Sequence, residues 1–191
     1  GENNFFYYED KFGGLKLQMP NIKGQFQLEN ISTAIATLRI LDLEVKEEHI
    51  QKGVTKISDL ARLQEIKSGK LKELVKKNKL IVDGSHNEDG ARALNEYLQS
   101  LDCNKHVIVG MMSNKRHEKF ISYFKNITSL TTVDIPNQNN AIKGIELKNK
   151  FTNAQFRESI QEAIDKLNLK ENDIILITGS LYLAGEVLNL N

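Results

Sequence analysis

The chain reads as an α/β protein: a mostly parallel, doubly wound sheet covered by helices, preceded by a short hairpin and two helices. Two observations predict it. Leu80-Ile81-Val82, His106-Val107-Ile108-Val109 and Ile174-Ile175-Leu176-Ile177 hold apolar runs without polar alternation, which suits strands buried on both faces of a parallel sheet. Each run stops at an acid or a glycine (Asp83, Gly110, Gly179) and hands over to apolar residues at helical spacing. Repeated strand, turn and helix is the pattern of crossover units, which gather polar groups along the carboxyl edge of the strands.

The elements follow in order. Phe5-Phe6-Tyr7-Tyr8 and Leu15-Lys16-Leu17-Gln18-Met19 flank Gly13-Gly14 and predict two antiparallel strands that need a partner layer, because an isolated hairpin is marginal in water. Leu28, Ile31, Ile35, Leu38 and Leu41 share a helical face, and Glu47 to Leu60 gives a second helix with Ile50, Val54, Ile57 and Leu60 inward. Residues 59–63 then form a hinge, dividing the chain into 1–60 and 61–191. The lysine-rich stretch 67–79 reads as a solvated face or hairpin, since no aromatic interleaves its charges.

Beyond Val82, Asn87 can cap a helix from Glu88 to Leu101, and Ser85 with Glu88 has the spacing of a capping box. A helix carrying Phe120, Ile121, Phe124 and Ile127 follows the second apolar run. Thr131 to Ile135 is β-branched and makes the fourth strand of the repeat, while the polar segment 137–152 has no clear period. Ala154 to Leu167 reads as one helix with Phe156, Ile160, Ala163, Ile164 and Leu167 on a stripe. Leu181 to Leu190 is the closing helix.

Composition excludes several functions. At 191 residues, 40% hydrophobic and 27% charged, the chain can bury a core of ordinary size. A formal net charge of +1 argues against nucleic acid or an acidic membrane engaged through bulk charge. The single Cys103 permits neither an internal disulfide nor a cysteine metal cluster. No apolar run approaches a membrane span and no basic-then-apolar leader opens the chain, so a cytoplasmic protein is expected. G-x-G-x-x-G, the P-loop pattern and G-x-S-x-G are all absent.

A parallel sheet brings the strand ends Asp83, Gly110, Asp134 and Gly179-Ser180 to one rim, where ligands bind. His86 lies on that rim, either as a working group or as a partner for a turn's backbone. His49, His106 and His117 fall on helix or strand surfaces and read as structural. Ser180 opens a helix, where a hydroxyl and free amides can bind a carboxylate or simply cap the end.

Asp83-Gly84-Ser85-His86-Asn87 and Thr178-Gly179-Ser180-Leu181-Tyr182-Leu183-Ala184-Gly185-Glu186-Val187 resemble the C-terminal domain of folylpolyglutamate synthase. That family includes the bifunctional dihydrofolate synthases and belongs to the Mur ligase superfamily. Gly24-x-x-Gln27-x-x-Asn30, Ala61-Arg62-Leu63-Gln64 and Gly110 with Asn114-Lys115 match in the same order. The resemblance implies a Rossmann-like ligase domain over 61–191, with 1–60 ending a central ATPase domain. It implies an ATP-dependent amide ligase, in which an acyl phosphate on a folate-linked carboxylate is attacked by the amine of L-glutamate. Asn30, Arg62 and Asp83 match nucleotide-binding positions, and His86, Ser180 and Tyr182 match positions on the glutamate side, His86 also as a catalytic group.

In the family, the P-loop, the groups that hold Mg2+ and most of the folate or dihydropteroate site lie upstream of residue 1. ATP, L-glutamate and the pterin are therefore the expected partners, no metal ligand is expected here, and a monomer is expected at full length. Alone, the chain is expected to be inactive. A non-catalytic remnant or interaction module from a split gene is the alternative. Four departures from the family pattern stand out: Phe26 for a histidine, Ala61 for a glycine, Glu88 for a proline, and Asn114-Lys115-Arg116 for Asp-Lys-Asp.

Overall fold

The computed structural model describes residues 4–22, 24–41, 43–57 and 60–191, and the chain divides into two compact units at Leu60/Ala61. In the first unit, β1 (Phe5–Asp10) and β2 (Gly13–Gln18) form an antiparallel hairpin with Tyr7 opposite Lys16. Its inner face, Tyr8, Leu15 and Leu17, packs on Ile31 and Ile35 of α1 (Gln25–Ile40) and on Ile50 and Val54 of α2 (Glu47–Thr55). The hairpin's missing layer is thus helical, which gives it the apolar burial that two strands lack alone. Arg39 fastens the turn through Asp10 Oδ1 at 2.8 Å and the carbonyls of Phe12 and Gly13.

Both helices end before their periodicity suggests, although α1 also begins earlier, at Gln25. Leu41 lies past the end of α1 and is 50% exposed, and Leu60, past α2, is 67% exposed. The hinge assigned to 59–63 falls partly outside the described residues, at Asp59.

The second unit is a six-stranded sheet in the order β3-β4-β8-β5-β6-β7, made of β3 (Gln64–Ile66), β4 (Lys79–Val82), β5 (Lys105–Val109), β6 (Ser129–Val133), β7 (Ala154–Arg157) and β8 (Ile174–Thr178). All neighbours are parallel except β3, which pairs antiparallel with β4. Leu80, Val82, Ile108, Val133, Ile175 and Ile177 present one face. It is covered by α3 (Lys70–Val75), α7 (Ile160–Asp165) and α8 (Leu181–Leu190). Period-two alternation turns Ile81, Val107, Val109 and Leu176 to the other side, the side left for the buried stripes of α4 (Glu88–Gln99) and α5 (His117–Ser122).

Two expectations are corrected. The lysine-rich stretch contains α3, whose Leu71 and Val75 are 0% and 1% exposed; an i, i+4 apolar pair is enough to seat a short helix whose lysines face outward. The segment 154–167 is a strand and then a helix: β7 pairs with β6, and Ser159 caps α7 by accepting the Glu162 amide. Phe156 and Ile160 merely share helical spacing. The polar segment, which shows no period, contains α6 (Gly144–Asn149), its first amide bound by Asp134 Oδ1 at 2.6 Å.

Candidate ligand-binding site

The strand order explains where the cavity lies. β8, last in sequence, inserts between β4 and β5, so the loops leaving these three strands meet at the topological switch point of the sheet. The rim is tied by backbone bonds: the Gly179 amide donates to Ser85 O at 3.0 Å and the Gly110 amide to Thr178 O at 3.3 Å.

The exit of β4 is built around Asp83, which is 1% exposed. Its Oδ2 accepts the Leu63 amide and its Oδ1 the Ser85 amide, each at 2.8 Å. Arg62 sits in the turn so held, between Ala61 (φ 58°) and Leu63 (φ 46°). Such left-handed backbone on non-glycine residues persists only where its surroundings over-determine it. The Ala61 amide is held by Gln64 Oε1 and its carbonyl by the Gly84 amide, both at 2.8 Å.

Two residues on, His86 Nδ1 lies 3.0 Å from Gly84 O. A carbonyl can only accept, so Nδ1 carries the proton and the neutral ring keeps its lone pair on Nε2. Asn87, not Ser85, caps α4, its Oδ1 accepting the Gly90 amide at 2.9 Å.

At the exit of β8, Gly179 has φ 107°, and a Cβ there would lie 2.7 Å from Gly110 O. Ser180 follows as the cap of α8, accepting the Tyr182 amide at 3.1 Å while 2% exposed. Its oxygen is occupied, but an accepting hydroxyl still has a hydrogen to donate. The exit of β5 folds back on the loop after β6, with the Ser113 amide and hydroxyl both donating to Asn140 O at 2.9 Å.

These loops enclose a cavity of about 570 Å³. His86 lines it from β4, Ser180, Leu181 and Tyr182 from β8, and Met112 to Lys115 with Asn140 from the facing loops. Among the described residues that line it there is one ammonium, Lys115, and no carboxylate. With the start of α8 on its wall, the cavity favours an anion. An adjoining hollow shares His86, Asn114 and Lys115, and is edged by Glu88 and Arg116, paired at 3.1 Å.

The structure thus brings together three of the residues singled out in the sequence, His86, Ser180 and Tyr182. Asp83 lies beneath them and Arg62 on the turn that Asp83 holds, neither among the lining residues. Asn30 belongs to the other unit, exposed on α1, where its amide donates to Gln27 Oε1 at 3.3 Å. Ser113, Lys115 and Asn140 also line the cavity, and in the sequence only the Asn114-Lys115 match points to that loop. Among the described residues no three His, Cys, Asp or Glu side chains come together to hold a metal.

The remaining histidines sit elsewhere. His106 is 3% exposed, not on a strand surface: at the amino edge of the sheet its Nε2 faces Asp173 Oδ2 at 3.2 Å and its Nδ1 faces Ser129 Oγ at 2.7 Å. Burial alone would raise the Asp173 carboxyl, but the Lys170 amide, the Asn104 side chain and the His106 ring outweigh it and hold it below the usual carboxylate range. His49 stays exposed in the first turn of α2, where its Nδ1 accepts the Lys46 amide at 3.3 Å.

The model of the Mur ligase family's glutamate ligase domain matches residues 70–181. Folylpolyglutamate synthase of Lacticaseibacillus casei is 28% identical over 195 residues, covering 95% of this chain and 42% of that protein. The crystal structure of the bifunctional folylpolyglutamate synthase/dihydrofolate synthase from Yersinia pestis CO92 superposes with a TM-score of 0.79 at 21% identity, over 97% of this chain and 44% of that one. A bifunctional synthase with Mn, AMPPNP and L-glutamate bound superposes with a TM-score of 0.77 at 20% identity, over 98% of this chain and 46% of that one. The chain spans less than half the length of these relatives. With the family model covering more than half of the sequence, the chain belongs to the Mur ligase family, through its glutamate ligase domain.

Proposed function

We propose that this chain supplies the amino-acid side of an ATP-dependent amide ligase of the folylpolyglutamate synthase type. The observation that carries the reading is the switch-point cavity, with one ammonium, one imidazole, a buried helix-start hydroxyl and no carboxylate on its described walls. An acidic amino acid fits such a lining. One carboxylate meets the start of α8 and the Ser180 hydroxyl, and the other meets Lys115. L-Glutamate, bound in one of the similar structures, is the substrate this reading names.

The nucleophile is an amine that reaches the site as an ammonium and must lose a proton before attacking an acyl phosphate. His86 Nε2 is the acceptor for that proton, since Nδ1 is engaged at Gly84 O. Arg62 is the cation of this unit assigned to the nucleotide, and it suits charge on a phosphoryl group. Asp83 fits beside it by shaping the turn through the Leu63 amide. ATP, when bound, supplies the phosphoryl group that activates the folate-linked carboxylate. Asn30, the Mg2+ ion and the folate or dihydropteroate belong in this reading to the ATPase half of the ligase. A cytoplasmic location goes with it, and among the described residues no helix is long and apolar enough to cross a membrane.

The test is calorimetric titration of the chain with L-glutamate. Lys115→Met and Ser180→Ala are each expected to weaken binding about tenfold, the worth of one charge-assisted hydrogen bond. Glutamate binding indifferent to both substitutions would remove the carboxylate site.

A further inference from the structure

His117 reads from sequence as a structural surface residue, yet it is only 9% exposed and its ring turns back over the loop that precedes it. The carbonyl it meets, Met112 O, closes the turn that presents Asn114 and Lys115. The Lys115 amide donates to that oxygen at 3.3 Å, a long bond, and His117 Nε2 approaches it at 2.9 Å. Because a carbonyl only accepts, Nε2 is the protonated nitrogen, and it donates whether or not Nδ1 is also protonated. The other side of the turn is held by Ser113 on Asn140 O and by the Ile142 amide on Met111 O at 3.1 Å. The Lys115 turn is thus held at two carbonyls: Lys115 O, which accepts the His117 backbone amide at 3.1 Å, and Met112 O, where the stronger of the two donors is the His117 ring of α5.

We infer that His117 is a positioning residue for the amino-acid cavity: its Nε2–H locks the 112–115 turn and so sets where the Lys115 ammonium stands. The ring touches no cavity volume itself; it acts through Lys115. This rests on the reading of the cavity as an acidic amino-acid site.

Three substitutions separate this role from packing. The amide nitrogen of His117→Gln overlays Nε2 and keeps the donor. In His117→Asn the amide nitrogen overlays Nδ1 and cannot reach, and in His117→Ala the donor is gone. The Lys115 amide is followed by hydrogen exchange in the ligand-free chain, and L-glutamate affinity is measured beside it. Expected are faster exchange at Lys115 and affinity lower by about fivefold to tenfold in the Asn and Ala variants, with both restored in Gln. Equal behaviour of Gln, Asn and Ala, or exchange unchanged in all three, overturns the inference. If the unsubstituted chain ignores L-glutamate, the amino-acid reading falls, and exchange at Lys115 still decides the role of His117.

Discussion

Asp83→Asn is the substitution whose outcome the structure changes most. The sequence places this carboxylate at a strand end, and the family resemblance matches it to a nucleotide-binding position. In the structure both oxygens accept buried backbone amides at 2.8 Å. An asparagine retains one acceptor and turns an NH2 toward the other amide. The loss is one charge-assisted hydrogen bond, about 1.5–3 kcal/mol, plus the cost of a buried amide facing a donor, about 1–3 kcal/mol. Rotation and slight opening of the 61–63 turn recover part of it, so a net destabilisation of about 2–4 kcal/mol is expected.

Urea unfolding followed by hydrogen exchange in β4 and β8 measures this unit separately from the hairpin unit. Asp83→Ala, which removes both acceptors, should fall below Asp83→Asn. A change under about 0.5 kcal/mol in the asparagine variant, within the range of ordinary surface substitutions, would refute the argument and return Asp83 to a direct ligand role. The Leu63 amide, beside Arg62, provides the second readout. If Asp83 acts through its turn, the Leu63 amide loses exchange protection in Asp83→Asn before any nucleotide is added.

Other outcomes follow from the same geometry. Gly179→Ala needs a left-handed residue with its Cβ at 2.7 Å from Gly110 O, so thermal unfolding should show a loss of at least about 2 kcal/mol. Leu71→Ala should cost about 2–5 kcal/mol in urea unfolding if α3 is a buried helix, and almost nothing if the stretch were a solvated face. The folded Asp173 carboxyl is held below the usual carboxylate range, so its contribution is fully present above that range and lost as pH falls through the folded value. Unfolding curves of the wild-type chain and Asp173→Asn should therefore differ at neutral pH and converge in acid; a constant gap across pH would show that the charge is not what stabilises.

Much of this molecule is legible in its sequence. The four main parallel strands, the helix start at Asn87, the helix start at Ser180 and the shared rim of Asp83, Gly110 and Gly179 all follow from local pattern, because apolar runs, caps and glycine turns report on the segment that carries them. β3 has only three residues, too few to show a period, and β7 (Ala-Gln-Phe-Arg) lacks the continuous apolar run that marks the equally short β4, so Phe156 with Ile160 imitates a helix across a strand boundary. Only the tertiary structure decided that β8 enters between β4 and β5, and that insertion places His86, Lys115 and Ser180 around one cavity. It also decided that Asp83 binds two backbone amides, and that His117 reaches back to Met112. The physical reason is common to all of these. Which strand pairs with which, and which donor meets which carbonyl, depend on partners far along the chain, and no local period records them.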